Sequence, residues 1–235
     1  MAFTLTVFQL NCHHSRIVHT SLEASLPQSS YICLLQEPYI HDGNVCGLDK
    51  SRLHFVKDVG TRVAIYTSSD IKLTFHGDLS SRDCVTCSIV LNGQHYYFSS
   101  VYLDIHETVE EPAWIKTIEW CRQRDHHYLA SVDSNAHSDL WGSKDINLRG
   151  SNLEGLIFQY GLSLLNKGDA FTFEAGVGVS TIDITVASPN FATKVRNWQV
   201  QDEMHLSDHH LITFEVKLQA TRPELARSRN LKKAD

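Results

Sequence analysis

The sequence predicts an α/β protein in which two β-sheets pack face to face with helices outside, and three observations carry that prediction. Ten runs rich in β-branched and aromatic residues fall at about 3–9, 31–36, 53–57, 62–67, 84–91, 95–102, 127–132, 162–166, 181–187 and 211–218, each bounded by polar turn residues. Helical stretches are fewer, at about 15–26, 110–124 and 151–160. The two kinds do not alternate in the regular βαβ order that one parallel sheet requires.

The clearest local signal is CVTCSIVL-NG-QHYYFSSVY, where Asn92-Gly93 supplies the positive φ angles of a two-residue hairpin between two strands. The helix at 110–124 opens on Glu111-Pro112 and carries Trp114, Ile115, Ile118 and Trp120. The helix at 151–160 is expected to be capped by Ser151, with Glu154 three residues later. No repeat, low-complexity segment or linker interrupts the chain before about residue 219, so 1–219 reads as one domain. The stretch 220–235, ATRPELARSRNLKKAD, loses apolar periodicity and reads as a basic linker tail toward a downstream region of a longer chain.

A chain of 235 residues, 42% hydrophobic and 20% charged, has the composition of a globular protein with a sizeable core. Its apolar runs fall short of the roughly 20 residues that span a bilayer, and the opening MAFTLTVFQLN lacks a basic start and a small-residue cleavage site. Neither a membrane segment nor a secretion signal is expected. The six cysteines have no framework spacing, which predicts reduced thiols in an intracellular setting. Cys84 and Cys87 form a CxxC only formally, because positions i and i+3 of a strand face opposite ways.

The net charge of -6 is unlike that of a nucleic-acid-binding surface, but it is unevenly spread. From Thr221 onward Arg222, Arg227, Arg229, Lys232 and Lys233 outnumber Glu224 and Asp235, leaving the remainder strongly acidic. Part of that acidity belongs to a set of polar residues at strand ends, which a divalent cation would offset.

Those residues are Asn11 after FTLTVFQL, Glu37 after YICLLQ, Tyr102 after YYFSSV, Asp133-Ser134-Asn135 after HYLASV, Asp183 in STIDITVAS, and Ser207-Asp208-His209 before HLITFEV. Carboxylates, an amide, a tyrosine and a histidine suit metal-assisted attack of water on a phosphate ester, with no serine or cysteine nucleophile required. In isolation each has a plainer reading. A lone DxN is usually a turn device, a Glu before Pro can simply end a strand, and Ser207 can be a turn hydroxyl. His13-His14, His126-His127 and His210 show no closed-site zinc spacing, and most of them read as surface histidines.

Taken in order, QLN, LLQEPYI, VYLD, SVDSNAHS, STIDIT and LSDHH resemble the motif series of the DNase I-like endonuclease/exonuclease/phosphatase superfamily over nearly the whole chain. The wording LQEPY, DSNAHSDLWGS and STID followed by SDHH resembles the endonuclease domain of non-LTR retrotransposons, especially the site-specific group that inserts into ribosomal or telomeric repeats. Three positions depart from the pattern: Val132 replaces a frequent glycine, Thr181 a frequent arginine, and no glycine follows Asn11.

The resemblance implies a four-layer α/β sandwich with two mixed sheets. It also implies a Mg²⁺-dependent enzyme, with Mn²⁺ as substitute, that nicks one strand of a double-stranded DNA target. The 3′ hydroxyl left behind would prime reverse transcription. By that resemblance the chain works in the nucleus, as part of a polyprotein that also carries a reverse transcriptase.

Glu37 is the first metal ligand expected, with Asp208 adding to the metal field. Asn11 would orient Glu37 or the phosphate. Asp133 and Asn135, on one side of an extended segment, would hold and activate water. His209, oriented by Asp183, would donate to a phosphoryl oxygen, as would Tyr102. Thr172, His137, Ser180 and Ser207 are phosphate-side candidates. The segment 172–180, with Gly176 and Gly178, reads as a groove-probing hairpin, with Lys144, Lys194 and Arg196 as further phosphate contacts. An abasic-site repair endonuclease or a phosphatase of the same superfamily is the alternative, and a binding module without turnover a third reading. The identity of the general base stays open.

Overall fold

A computed structural model describes residues 2–57, 60–176, 178–201 and 207–219. The basic tail expected from residue 220 lies outside them.

Along the chain, β1 (Ala2–Asn11) leads through α1 (Arg16–Ser25) to β2 (Tyr31–Gln36). The short strands β3 (Ile40–His41), β4 (Asn44–Val45) and β5 (Leu53–His54) precede β6 (Val63–Thr67) and β7 (Thr74–Phe75). A second half then repeats the opening pattern: the hairpin β8 (Cys84–Leu91) and β9 (Gln94–Tyr102), α2 (Pro112–Gln123), and β10 (His127–Asp133). There follow α3 (Leu148–Tyr160), β11 (Ser163–Leu164), the hairpin β12 (Phe173–Ala175) and β13 (Gly178–Ser180), and β14 (Asp183–Ala187). The one-turn α4 (Pro189–Ala192), β15 (Val195–Val200) and β16 (Ile212–Gln219) complete the described elements.

Two six-stranded sheets result, ordered β15-β16-β1-β2-β6-β5 and β11-β14-β10-β9-β8-β7. Each is antiparallel except for one central parallel pair, β1 with β2 and β9 with β10. A parallel pair cannot be closed by a tight turn, and α1 and α2 supply the two crossovers. Strand alternation then builds four layers. Leu5 and Val7 of β1, Ile32 and Leu34 of β2, and Phe98 and Leu129 of the other sheet meet in the core between the sheets. The opposite faces are covered by Val18 and Leu22 of α1 on one side, and by Trp114 and Ile118 of α2 with Leu153 and Ile157 of α3 on the other. The mixed two-sheet sandwich is therefore the fold. Cys84 and Cys87 fall in different layers, and all six cysteines are free.

Several boundaries differ from expectation for identifiable reasons. The strand read at 53–57 keeps only Leu53–His54, and that at 162–166 only Ser163–Leu164, because each is an edge strand with a single partner. The strand Val195–Val200 went unread: its exposed Arg196 and Asn197 and a register shift on β16 hide its alternation. The last large helix starts at Leu148, capped by the Asn147 side chain on Gly150 N at 2.7 Å, so Ser151 and Glu154 are not its capping box. Glu154 instead accepts a hydrogen bond from Ser138. Among the described residues no helix is long and apolar enough to cross a membrane.

Candidate active site

The same alternation that sends Leu5, Val7, Ile32, Leu34 and Leu129 inward sends Gln9, Asn11, Gln36, Ser131 and Asp133 inward as well, further along the same strands. The interlayer is thus apolar over most of its length and polar at one end. Gln9 donates to Ile184 O at 3.2 Å and accepts from Thr185 Oγ1 at 2.7 Å, and Gln36 donates to Ser100 Oγ at 3.0 Å. These bonds stitch sheet to sheet just behind the cleft. Register gathers the rest: Asn11 pairs Gln36, and Asp133 lies between Tyr102 and Asp183.

The central contact is between sheets. Asn11 Nδ2 donates to Asp133 Oδ2 at 2.7 Å, so Asn11 orients Asp133 and not, as expected, Glu37. His209 Nδ1 lies 2.8 Å from Asp183 Oδ2 and its Nε2 3.9 Å from Asp133 Oδ2. Asp133, Asp183 and His209 are all buried. Burial pushes the Asp133 carboxyl up to about 7; the His209 charge opposes that shift and Asp183 adds to it. Burial works against a charged His209, but Asp183, by charge and hydrogen bond, with Asp133 and Asp208 overrides it and pushes the imidazole up to about 10. The trio therefore suits a cationic histidine beside a proton-accepting aspartate.

Backbone geometry fixes these groups. The strand ends at Asp133, and Asn135 has φ 47°, so it does not continue an extended segment as expected. Its N–H donates to Asp133 Oδ1 at 3.3 Å and its Nδ2 to Leu103 O at 3.1 Å, a turn device built into the site. Thr172 is fully buried; its Oγ1 accepts from Ile182 N and Asp183 N at 3.1 and 3.0 Å, so it positions Asp183 and does not meet a phosphate. Ser207 Oγ donates to Asn11 O at 2.8 Å, tying the His209 segment to β1. Tyr102 is half-buried under the Arg62 guanidinium, 4.6 Å above its ring. Burial, then the charges of Glu37 and Asp133, hold its phenol protonated.

Glu37 and Asp208 each face a histidine. His14 Nε2 lies 3.3 Å from Glu37 Oε1, and His13 Nδ1 3.1 Å from Asp208 Oδ2. Among the described residues the group of three or more possible ligands with atoms within 4.8 Å of one another is Asp133, Asp183 and His209. One oxygen of that group, Asp183 Oδ1, is buried without a hydrogen-bond partner. An orphaned carboxylate oxygen in a cleft of hard oxygen donors fits a divalent cation nearby.

The hairpin β12–β13 runs beside the site: Phe173 bridges His209 and stacks edge-on against its ring at 4.9 Å, and Glu174 N donates to Asp208 O at 2.7 Å. Ser180, Gly176 and Gly178 belong to this ribbon, and Lys144 Nζ lies over the Phe171 ring at its base. His137, in the loop after β10, bonds Asp145 through Nδ1 at 2.8 Å. Lys194 and Arg196 are not brought here. Arg196 pairs Glu215 well along β16, and Lys194 acts on His127 at the far end of β10, about 20 Å from Asp133 by strand rise.

Three supporting residues carried no sequence signal. Arg62 forks onto Asp83 and Asp104, and its carbonyl accepts from Glu37 N at 2.8 Å. Arg149 donates to Ser134 O, Leu103 O and Glu107 O at 2.9, 2.9 and 2.6 Å, clamping the loops after β9 and β10. Gly150 leaves no room for a side chain: a Cβ would stand 1.8 Å from His137 O.

The chain resembles known proteins in sequence and in fold. Residues 96–213 match the family described as Endonuclease-reverse transcriptase. The chain is 33% identical over 101 residues to a retrovirus-related Pol polyprotein from type-1 retrotransposable element R1 of Bradysia coprophila. That match covers 39% of this chain and 10% of the polyprotein, so the chain spans a small part of that relative. In structure it is similar to the endonuclease domain of TRAS1, a telomere-specific non-LTR retrotransposon, with a TM-score of 0.74, 24% identity, and coverage of 92% and 99% of the two chains. It is also similar to an AP endonuclease from Leishmania major, with a TM-score of 0.71, 9% identity, and coverage of 92% and 89%. Both likenesses show the fold.

Proposed function

Since this chain belongs to the endonuclease-reverse transcriptase family, we propose that it is a divalent-metal-dependent DNA endonuclease, the target-nicking part of a non-LTR retrotransposon polyprotein. The observation that carries this reading is the buried trio Asp133, Asp183 and His209, joined across the two sheets by Asn11.

Hydrolysis of a phosphodiester needs a water deprotonated in line with the leaving 3′ oxygen, and charge compensation on the phosphoryl oxygens. Asp133, held by Asn11 and raised toward neutrality, takes the water proton. His209, kept cationic by Asp183, donates from Nε2 to a phosphoryl oxygen. Tyr102, still protonated, offers a second donor. Glu37, the partly exposed carboxylate at the end of β2, would hold Mg²⁺ or Mn²⁺, with Asp208 adding negative charge from the other side. When bound, that cation neutralises phosphate charge and stabilises the departing oxygen. The hairpin β12–β13, anchored on His209, is suited to reading groove shape beside the scissile bond. A nick ending in a 3′ hydroxyl is the primer that a polyprotein carrying reverse transcriptase would extend on chromosomal DNA, in the nucleus.

Incubating supercoiled plasmid with the protein and Mg²⁺, and with EDTA in a parallel reaction, tests the reading. Relaxed circles only with Mg²⁺ are expected. Intact plasmid, under conditions that cleave abasic duplex or small phosphate esters, would contradict it.

A further inference from the structure

The hairpin that follows Glu37 has one rung of its ladder filled by a side chain. Asp42 and Gly43, with φ 49° and 69°, form the turn between β3 and β4, where His41 faces Asn44 and Ile40 faces Val45. Alternate pairs of such a ladder exchange two N–H···O bonds, and counted from this turn those pairs are His41 with Asn44 and Tyr39 with Cys46. Cys46 N donates to Tyr39 O at 2.9 Å, as the pattern requires. The return bond is replaced by the imidazole of His19 from α1: Tyr39 N donates to its Nε2 at 3.3 Å, and its Nδ1 lies 2.7 Å from Cys46 O. Both partners are backbone groups of fixed polarity. An amide N–H can only donate and a carbonyl can only accept, so the ring is neutral with its proton on Nδ1. His19 is fully buried, and burial holds it below the usual histidine range against the opposing effects of the Cys46 carbonyl and the Glu23 charge.

Tyr39 stands two residues from Glu37, whose charge acts on both Tyr102 and Asp133 and therefore faces the cleft. Glu37 has a left-handed backbone, φ 42°, with its N–H on Arg62 O and the His14 N–H on its own carbonyl, both at 2.8 Å. A residue other than glycine keeps that conformation only where its surroundings hold the chain on both sides. Arg62 and His14 hold Glu37 itself, and beyond the stiff Pro38 the His19 bridge holds Tyr39. We propose that His19 is a positioning residue for Glu37: its imidazole, set between Tyr39 and Cys46, keeps the mouth of the hairpin open and so aims the Glu37 carboxylate into the cleft. Without the ring, Tyr39 N and Cys46 O close into the ordinary ladder pair, and the segment Glu37-Pro38 turns with them. The effect on metal binding rests on the reading of Glu37 as a ligand, whereas the effect on the backbone does not.

NMR of the metal-free full chain tests the backbone effect, and Mn²⁺ titration followed by EPR of the free ion tests the metal effect, in wild type, His19→Leu, His19→Gln and Val18→Ala. Leucine fills the space with neither donor nor acceptor, whereas glutamine carries both. Val18→Ala loosens the packing of buried α1 and leaves the bridge in place. Wild type should show a nitrogen–nitrogen coupling across the hydrogen bond from Tyr39 N to His19 Nε2. The three-bond amide–Hα coupling of Glu37, which reads φ, should change in His19→Leu, return in His19→Gln and stay unchanged in Val18→Ala. Mn²⁺ should bind about tenfold more weakly in His19→Leu than in the other three proteins. No coupling across the bond in wild type, a Glu37 φ unmoved in His19→Leu or moved equally by Val18→Ala, or equal Mn²⁺ affinity in His19→Leu and wild type would overturn the assignment. A Glu37 φ that moves as expected in a chain whose wild type binds no Mn²⁺ would refute the metal reading of Glu37 and leave the positioning role standing.

Discussion

His209 Nδ1 and Asp183 Oδ2 lie 2.8 Å apart in a buried contact that fixes which ring nitrogen faces the cleft. With Nδ1–H given to Asp183, Nε2 is directed toward Asp133 and the phosphate side. Asparagine at 183 can keep the shape while offering an N–H to Nδ1, which favours the wrong tautomer and removes the charge that keeps the ring cationic. Asp183→Asn is expected to lower the single-turnover nicking rate by roughly 10³ to 10⁴. Duplex affinity, measured by anisotropy, should change only a few-fold.

Stability in EDTA should depend on pH through the same pair. A folded-state imidazole raised to about 10 contributes stability that is fully present below its ordinary value near 6.5 and lost as pH rises through 10. Asp133, raised to about 7, contributes stability present at acid pH and lost as pH rises through 7. The melting temperature of metal-free wild type should therefore fall between pH 7 and 10, and His209→Asn, which removes the imidazole and with it the charge that holds the Asp133 carboxyl down, should show a different slope over that window. Equal slopes would show that the histidine is not charged in the fold.

Gly150 sits where α3 touches the loop carrying His137. Gly150→Ala forces a methyl into backbone, and neither partner is a flexible side-chain end. Chemical denaturation should report a loss of about 3 kcal/mol, and nicking should fall with it, since Asn147 and Arg149 of the same turn hold the loops after β9 and β10.

Arg62 links Glu37, through its carbonyl, to Tyr102, Asp83 and Asp104, through its guanidinium. Lysine keeps the charge but cannot fork onto two carboxylates or cover the ring as a plane. Arg62→Lys should lower kcat about tenfold or more with KM nearly unchanged. A change confined to KM would assign Arg62 to DNA binding instead.

Which parts of this architecture were readable in the sequence follows from the range of the forces involved. The β-branched and aromatic runs of β1, β2, β8, β9 and β10 are a local property, as is the Asn92-Gly93 turn, and those elements stand where the runs put them. Ordered motifs at strand ends carried the resemblance, because parallel pairs in two sheets bring those ends to one edge. Side-chain partners were not local. Asn11 meets Asp133 across 122 residues, and nothing near Asn11 distinguishes that bond from one to Glu37. Thr172 could not be told from a phosphate contact without its burial, nor Lys194 from a site cation without the strand direction. His13 and His14 read as surface residues and are exposed, while the left-handed backbone they adopt is not revealed by composition.

The most direct measurement is on an end-labelled duplex containing a plasmid-mapped nick site, cut in the presence of Mg²⁺ by wild type and by His209→Ala, with the product offered to a DNA polymerase. Wild type should give a single-strand break whose 3′ end is extended without any prior treatment, and His209→Ala should leave the duplex intact over the same time. A 3′ end that cannot be extended, or cutting by His209→Ala at the wild-type rate, would contradict the proposal that this site hydrolyses DNA to a 3′ hydroxyl.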